Sequence, residues 1–236
     1  MNSTIQRSGE YSLKGDYHKQ VDKNWRYYPV YYFKLQYIDS FLKGIPKTSR
    51  ILDLGCGEGF LVEKYRTLGY DIIGLDINYS SDCVKKGDIR ATPFENDDFD
   101  VILCLDVLEH LPFLDQDSAL KEIHRIMKKD GITLLALPNL AHFISRISFL
   151  LTGNLVRTSS IERHPGDRPI REFINLIDKN DFSVERRIGI FPTFLFPSVL
   201  TWYFPNRVIW LHWILNSFFA YPNWCFLNLL YCKRRR

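Results

Sequence analysis

The chain has 236 residues, 46% hydrophobic and 25% charged, values of a folded globular protein that exclude a disordered or fibrous chain. The formal net charge is +4, and Lys233 to Arg236 alone supply as much positive charge as that whole excess, so the body is near neutral and nucleic acid is not an expected partner. The five cysteines (56, 83, 104, 225, 232) are scattered, show no CxxC or zinc spacing, and favour a reducing compartment; with polar residues from Met1 to Glu10 in place of a signal peptide, the expected location is cytoplasmic.

In chain order, Tyr17-His18 and Trp25 to Phe33 form an aromatic-rich N-terminal segment. Arg50 to Leu54 reads as a short buried strand, and Phe60 to Leu68 as a helix closed by Gly69. Asp71 to Leu75, Phe99 to Leu105 and Ile132 to Leu137 are further apolar runs. Between the last two, Leu120, Ile123, Ile126 and Met127 mark a helix over Ser118 to Lys129, with Gly131 ending it. Ile170, Phe173, Ile174 and Ile177 mark another, ending near Asn180, and Phe182 to Ile190 alternates as a strand. Apolar strands separated by amphipathic helices predict an α/β fold: a mostly parallel sheet with helices on both faces. Residues 190–232 stand apart, with 14 aromatic residues and one charge, Arg207. Their longest apolar stretch, Val208 to Tyr221, is interrupted by His212, Asn216 and Ser217, so no membrane-spanning helix is expected. Trp224 to Cys232 reads as a final strand. The whole, 1–236, reads as one domain: an N-terminal segment (1–48), a ligand-binding core (49–140) and a substrate side (141–236).

The chemistry-bearing motif is Leu52-Asp53-Leu54-Gly55-Cys56-Gly57-Glu58-Gly59, between the first strand and a helix. Glycines let a backbone turn tightly and approach a ligand, and a helix N-terminus offers N–H groups to an anion. Asp76 ends the next strand, where a carboxylate can accept both hydroxyls of a ribose. Phe60 stands where a dinucleotide fingerprint needs its third glycine. Asp53 and Glu58 would repel a pyrophosphate. They suit a ligand carrying sulfonium and ammonium charges, whose carboxylate the loop N–H groups would take: S-adenosylmethionine.

The ordered blocks ILDLGCGEG, GLDIN, GDI, FDVILCLDVLEHL and LKEIHRIMKKDGITLLALPN, over roughly residues 50–140, resemble the class I S-adenosylmethionine-dependent methyltransferases, and most of all the small-molecule branch that includes quinone-biosynthesis enzymes. The resemblance implies a Rossmann-like seven-stranded sheet whose last strand is antiparallel, with the aromatic-rich region inserted before it. It implies that Asp53, Gly55, Cys56, Gly57 and Gly59 hold the methionine part of the cofactor, Asp76 and Ile77 the ribose side, Asp88 and Ile89 the adenine, while Cys104 and Leu105 line the cleft. In this family N-terminal segments cover the cofactor as a lid, the alternative here being plain packing of a helix.

Methyl transfer is an in-line displacement on an activated donor, so alignment and exclusion of water dominate, and a base is needed only for a weakly acidic hydroxyl. His110 and Glu109, beyond the fourth strand, are the candidate catalytic residues. If Asp106 to His110 is helical, Asp106, Glu109 and His110 share one face and can form a base relay or hold a divalent metal; the resembling quinone enzymes use a similar group for metal, but with Glu where this chain has Asp106. The expectation adopted is no resident metal. Asn139, His142, His164, Asp167 and Arg168 are candidates for the acceptor side, with Arg168 able to hold an acidic group.

The expected function is S-adenosylmethionine-dependent methylation of a small molecule, on an oxygen of an apolar or lipid-linked acceptor, with peripheral membrane contact through residues 190–236 and a basic tail. Two rivals stand beside it. A noncatalytic cofactor-binding module would show no turnover. A macromolecule methylase is opposed by the neutral body and by Cys104-Leu105-Asp106-Val107, where amino-group methylases carry an N/D-PP-Y/F signature.

Overall fold

The computed structural model describes residues 21–157 and 159–235. The apolar runs become strands β1 (Arg50–Leu54), β2 (Asp71–Asp76), β4 (Phe99–Leu105), β5 (Met127–Pro138), β6 (Phe182–Pro192) and β7 (Cys225–Arg234), with a short β3 (Val84–Lys86) that the sequence reading missed. They make one seven-stranded sheet in the order β3-β2-β1-β4-β5-β7-β6. β7 runs antiparallel to both β5 and β6, and the pairs from β3 to β5 are parallel. The reversed last strand is therefore as expected, with two helices inserted before it.

Strands buried on both faces need helices on both faces. On one side, α1 (Tyr28–Lys43) and α2 (Phe60–Thr67) bury Val30, Phe33, Ile38, Leu42, Val62 and Tyr65 against Ile51, Leu103 and Leu134. On the other, α3 (Phe113–Ile126) and α5 (Ile170–Lys179) bury Leu120, Ile123, Phe173 and Ile177 against Leu52, Ile102 and Leu135. Trp25 to Phe33 thus opens a core helix on the sheet, while Tyr17-His18 lies outside the described residues.

The expected helix at Ser118 to Lys129 is displaced. α3 begins at Phe113 after Pro112, whose fixed φ suits a helix entry, and ends at Ile126 because Met127 turns extended to pair with Phe99. Gly131 is not a helix terminator. It lies in β5 where the register jumps from Phe99↔Met127 to Val101↔Ile132, and a Cβ there would meet Met127 Cγ at 2.6 Å.

Three further helices carry the substrate side: α4 (Phe143–Thr152), α6 (Leu195–Tyr203) and α7 (Ile209–Phe218). No helix among the described residues is long and apolar enough to cross a membrane. The basic tail sits elsewhere than expected. β7 starts at the end of the sheet that carries α6 and α7 and runs ten residues to the opposite end, on the order of 30 Å away. There Arg234 pairs with Asp97 and Arg235 with Asp178. The tail therefore cannot complete the aromatic region, because the antiparallel strand carries it to the other pole.

Candidate functional site

The carboxyl ends of β1, β2 and β4 converge at the glycine-rich loop. Gly55, Gly57 and Gly59 have φ of 72°, 58° and 83°, which side chains with a Cβ rarely adopt. A Cβ on Gly55 would lie 2.4 Å from Val107 Cγ2, so this glycine also admits the turn after β4. The Gly55 amide donates to the Leu75 carbonyl at 2.7 Å, and the Gly57 amide to Asp76 Oδ2 at 2.9 Å. Asp76 Oδ1 accepts from the Asn78 amide at 2.7 Å. The loop amides of Gly55, Cys56, Gly57 and Gly59 are thus all spent inside the protein, contrary to the expectation that they take a ligand's carboxylate.

A cation that sequence reasoning missed stands beside that loop. Lys34, on α1, is buried and faces Asp53, Gly55, Cys56 and Leu105 across a cavity of about 50 Å³, also lined by Tyr31 and Phe60. It forms an ion pair with Asp106. Only its position in the middle of an aromatic helix hinted at a buried lysine. Burial, reinforced by the charge of Asp76, raises the Asp53 carboxyl to about 7, and Lys34 works against that rise. Of the two loop carboxylates, Asp53 lines the cleft and Glu58 is half-buried at the loop's far side.

The remaining expected cofactor residues divide. Ile77 presents an exposed apolar side chain just after Asp76. Leu105 lines the cleft, whereas Cys104 turns into the core beneath it, where burial pushes its thiol well up. Ile89 is also core. Asp88 holds its own turn: Arg90 donates to both its carboxylate oxygens and caps it through the backbone amide at 2.9 Å, and this partner keeps its carboxyl below the usual range.

The turn after β4 is not the helix that the metal or relay arrangement required. Asp106 has φ of 56°, in the left-handed region, and only Leu108–His110 forms a single 3₁₀ turn. Asp106, Glu109 and His110 therefore do not share a face, and among the described residues no group of three or more His, Cys, Asp or Glu stands together to hold a metal. Glu109 is buried, and burial first and Asp106 second push its carboxyl well above the carboxylate range, disfavouring its charged form. His110 is half-exposed, its Nδ1 3.0 Å from the Arg163 carbonyl and its ring edge-on to His164 at 4.6 Å. A carbonyl only accepts, so Nδ1 carries the proton and Nε2 is the basic nitrogen.

The acceptor-side candidates are also redistributed. Arg168 donates to Gln116 at 2.8 Å and stacks over Phe113, and Gln116 in turn binds the carbonyls of Leu108 and Gly166. It is a brace between loop and helix. Asn139 is likewise a brace, donating to the Cys225 carbonyl and accepting from the Ile170 amide. His164 and Arg157 both face Asp167, at 3.4 and 3.8 Å.

Beyond β5, β6 and β7, at the same end of the sheet, a cavity of about 420 Å³ opens. Tyr27, Ile144, Phe191, Val199, Trp202 and Phe226 give it apolar walls, and Arg26, Arg157 and His142 stand among them. Burial lowers His142 to about 4, so it is neutral there, bonded to Thr193. Phe191 holds a φ of 64°, stacked on His212 at 4.3 Å, the kind of backbone strain that collects at functional sites.

A strand–glycine loop–helix unit with Asp76 at the next strand, under a reversed last strand, defines a nucleoside-cofactor methyltransferase of Rossmann-like fold. A methyltransferase-domain family model matches residues 23–185. The chain belongs to this family, the S-adenosylmethionine-dependent methyltransferases, and S-adenosylmethionine is its cofactor. Among curated proteins it is 29% identical over 175 residues to the ubiquinone biosynthesis O-methyltransferase of Pelagibacter ubique, covering 67% of this chain and 70% of that one. It is also 29% identical over 169 residues to the malonyl-[acyl-carrier protein] O-methyltransferase of Erwinia pyrifoliae, covering 64% and 58%. Across three of the ubiquinone relatives, the matches span 70%, 60% and 40% of the relative's length. Among solved structures, an S-adenosylmethionine-dependent methyltransferase of Thermotoga maritima shares the fold, with a TM-score of 0.56, 16% identity and coverage of 93% and 98%.

Proposed function

We propose that the protein methylates an oxygen of an apolar small molecule, lipid-linked or otherwise, seated in the cavity walled by β6, β7 and α6. The observation that carries this reading is that cavity: about 420 Å³, apolar, and at the carboxyl end of the sheet where α/β folds place their ligands. Arg26 and Arg157 suit an acceptor with one acidic or polar end. Oxygen as the methylated atom is supported by the O-methyltransferase names of the relatives.

The cleft residues fit the cofactor chemically. Asp53 and Lys34 would complement the ammonium and carboxylate of an amino-acid group, and Asp76 at the end of β2 would be the ribose partner. When bound, S-adenosylmethionine supplies a methyl group already activated by its sulfonium. A cleft of about 50 Å³ is well below the roughly 300 Å³ of a typical small-molecule site, so in this reading Lys34 and Tyr31 draw back with α1 as the cofactor enters. Asp53 would hold the ammonium group in its ionised form, and Lys34, paired with Asp106 here, would hold the carboxylate. His110 accepts the acceptor's proton at Nε2, its tautomer fixed by the Arg163 carbonyl. His164, Asp167 and Arg157 form a chain of contacts from that ring to the cavity wall.

The test is transfer of labelled methyl to a panel of apolar hydroxyl, carboxyl and amine acceptors. Label on hydroxyl or carboxyl compounds, abolished by Val199→Trp inside the cavity while calorimetry still shows cofactor binding, is the expected result. Label confined to amines, or turnover indifferent to Val199→Trp, overturns the reading.

A further inference from the structure

Three helices on the substrate side are built inside out. In α7 the fully buried residue is His212, with Leu215 and Asn216 beside it, while Trp210, Trp213 and Phe218 are 64%, 62% and 69% exposed. His212 bonds to Thr201 at 2.5 Å, and Asn216 Oδ1 accepts from the Phe191 amide at 2.8 Å. In α6 the buried residue is Thr201, and Leu195, Phe196, Val199, Trp202 and Tyr203 face outward. In α4 it is Ser145, with Phe149, Leu150 and Leu151 outside. A helix on a water-facing protein surface buries its apolar stripe and exposes its polar one. These three do the reverse, their polar residues turned into the protein, where His212 bonds through Nε2 and Asn216 through Oδ1, and their aromatic and aliphatic groups outside. Phe143, Phe194, Phe219 and Trp224 link the three helices into one face through ring contacts of 5.4–5.8 Å.

We infer that this face of α4, α6 and α7 docks on an anionic lipid surface, lying in its interface. Segments 139–161 and 187–224, which build it, hold four arginines (146, 157, 187 and 207) and no Asp or Glu, and of these Arg157 faces Asp167 at 3.8 Å. Arg26 adds a further guanidinium at its edge, 4.4 Å over the Trp202 ring. Tryptophan, tyrosine and arginine around an aliphatic patch match the headgroup boundary of a bilayer, and its net positive charge matches an anionic leaflet. A second copy of the chain fits worse: a two-fold contact sets the same patch against itself, bringing arginines together with no carboxylate in either segment to receive them. With ten, nine and ten residues the helices are each only about 15 Å long, half the hydrocarbon thickness, so contact is peripheral and not spanning. The 420 Å³ cavity is lined by Val199, Trp202 and Tyr203 of this same face, so a docked molecule has its cavity mouth at the lipid boundary. Docking itself does not depend on the proposed acceptor. Only the consequence that the acceptor arrives through lipid rests on that reading.

Sedimentation of the full chain with vesicles tests it, and reads membrane contact without reading turnover. With phosphatidylglycerol-containing vesicles at low salt, the protein should pellet and its tryptophan emission should shift to the blue; with pure phosphatidylcholine binding should be weaker. Combined Trp210→Ser, Trp213→Ser and Phe218→Ser should abolish pelleting, and Arg207→Gln should weaken it by about fivefold, the loss of one cation near an anionic surface. These side chains are exposed, and calorimetric cofactor binding confirms that the variants are folded. The inference falls if the wild-type chain stays in the supernatant, if the triple variant pellets as before, or if the patch instead holds a stable dimer that the triple variant breaks.

Discussion

Lys34 of α1 and Asp106 at the end of β4 form an ion pair across the mouth of the cofactor cleft, with Lys34 buried and Asp106 a third exposed. Removing the lysine leaves a partly buried carboxylate without its partner and Asp53 without the cation that opposes its neutralisation. Lys34→Met should therefore weaken S-adenosylmethionine binding by on the order of tenfold or more, the loss of one hydrogen bond to a charged group. Calorimetry on the folded variant measures it, and an unchanged dissociation constant would show that Lys34 only braces α1.

Asp53 sets a pH dependence. Its folded-state value of about 7 lies above the ordinary 3.8, because burial and Asp76 disfavour the charge. Folding thus favours the protonated form. The stability this gives is complete at low pH and is lost as pH rises from about 4 through 7. Cofactor binding has the opposite sign, since an ammonium group needs the ionised carboxylate. Affinity should rise with pH up to about 7 and level off above it. In Asp53→Asn the curve should be flat and low; titrations at pH 5.5, 6.5 and 7.5 decide.

Gly55→Ala places a methyl 2.4 Å from Val107 Cγ2 at a φ of 72°. Backbone strain alone costs roughly 1–2 kcal/mol, which lowers the melting midpoint by about 2–8 °C for a chain of this size. The larger effect should be on cofactor binding, because Val107 can relax only by moving the turn that carries Asp106. A melting point unchanged within a degree would show that Val107 yields freely.

His110→Ala should reduce turnover about 10²-fold or more while leaving cofactor affinity intact, as expected for loss of a general base. Glu109→Gln should matter much less, because burial and Asp106 already disfavour that carboxyl's charge and a neutral amide replaces it at similar size. Equal losses in the two variants would argue that the turn acts as one structural unit.

Elements whose signal is local were legible in the sequence. β1, β2, β4 and β6 are apolar runs, Gly55 to Gly59 carries its conformational demand in its own residue type, and Asp76 follows at the distance one crossover sets. These fix the family and the cofactor before any coordinates. Contacts between distant segments were not legible. Lys34 meets Asp106 only because α1 packs on the same face of the sheet as Leu103, and Arg168 becomes a brace only because Gln116, 52 residues away, stands beside it. The reach of the motif was overread for the same reason: i, i+3 and i+4 spacing joins Asp106, Glu109 and His110 only in a helix, and Asp106 leaves β4 in the left-handed region. Composition showed that residues 190–232 are aromatic, but not which way they face, because hydrophobicity says what prefers to leave water and not which surface receives it. Packing decided that: the sheet was already covered by α1, α2, α3 and α5, so α7 meets β6 through His212 and Asn216, α6 joins α7 through Thr201, and their aromatic rings are turned outward.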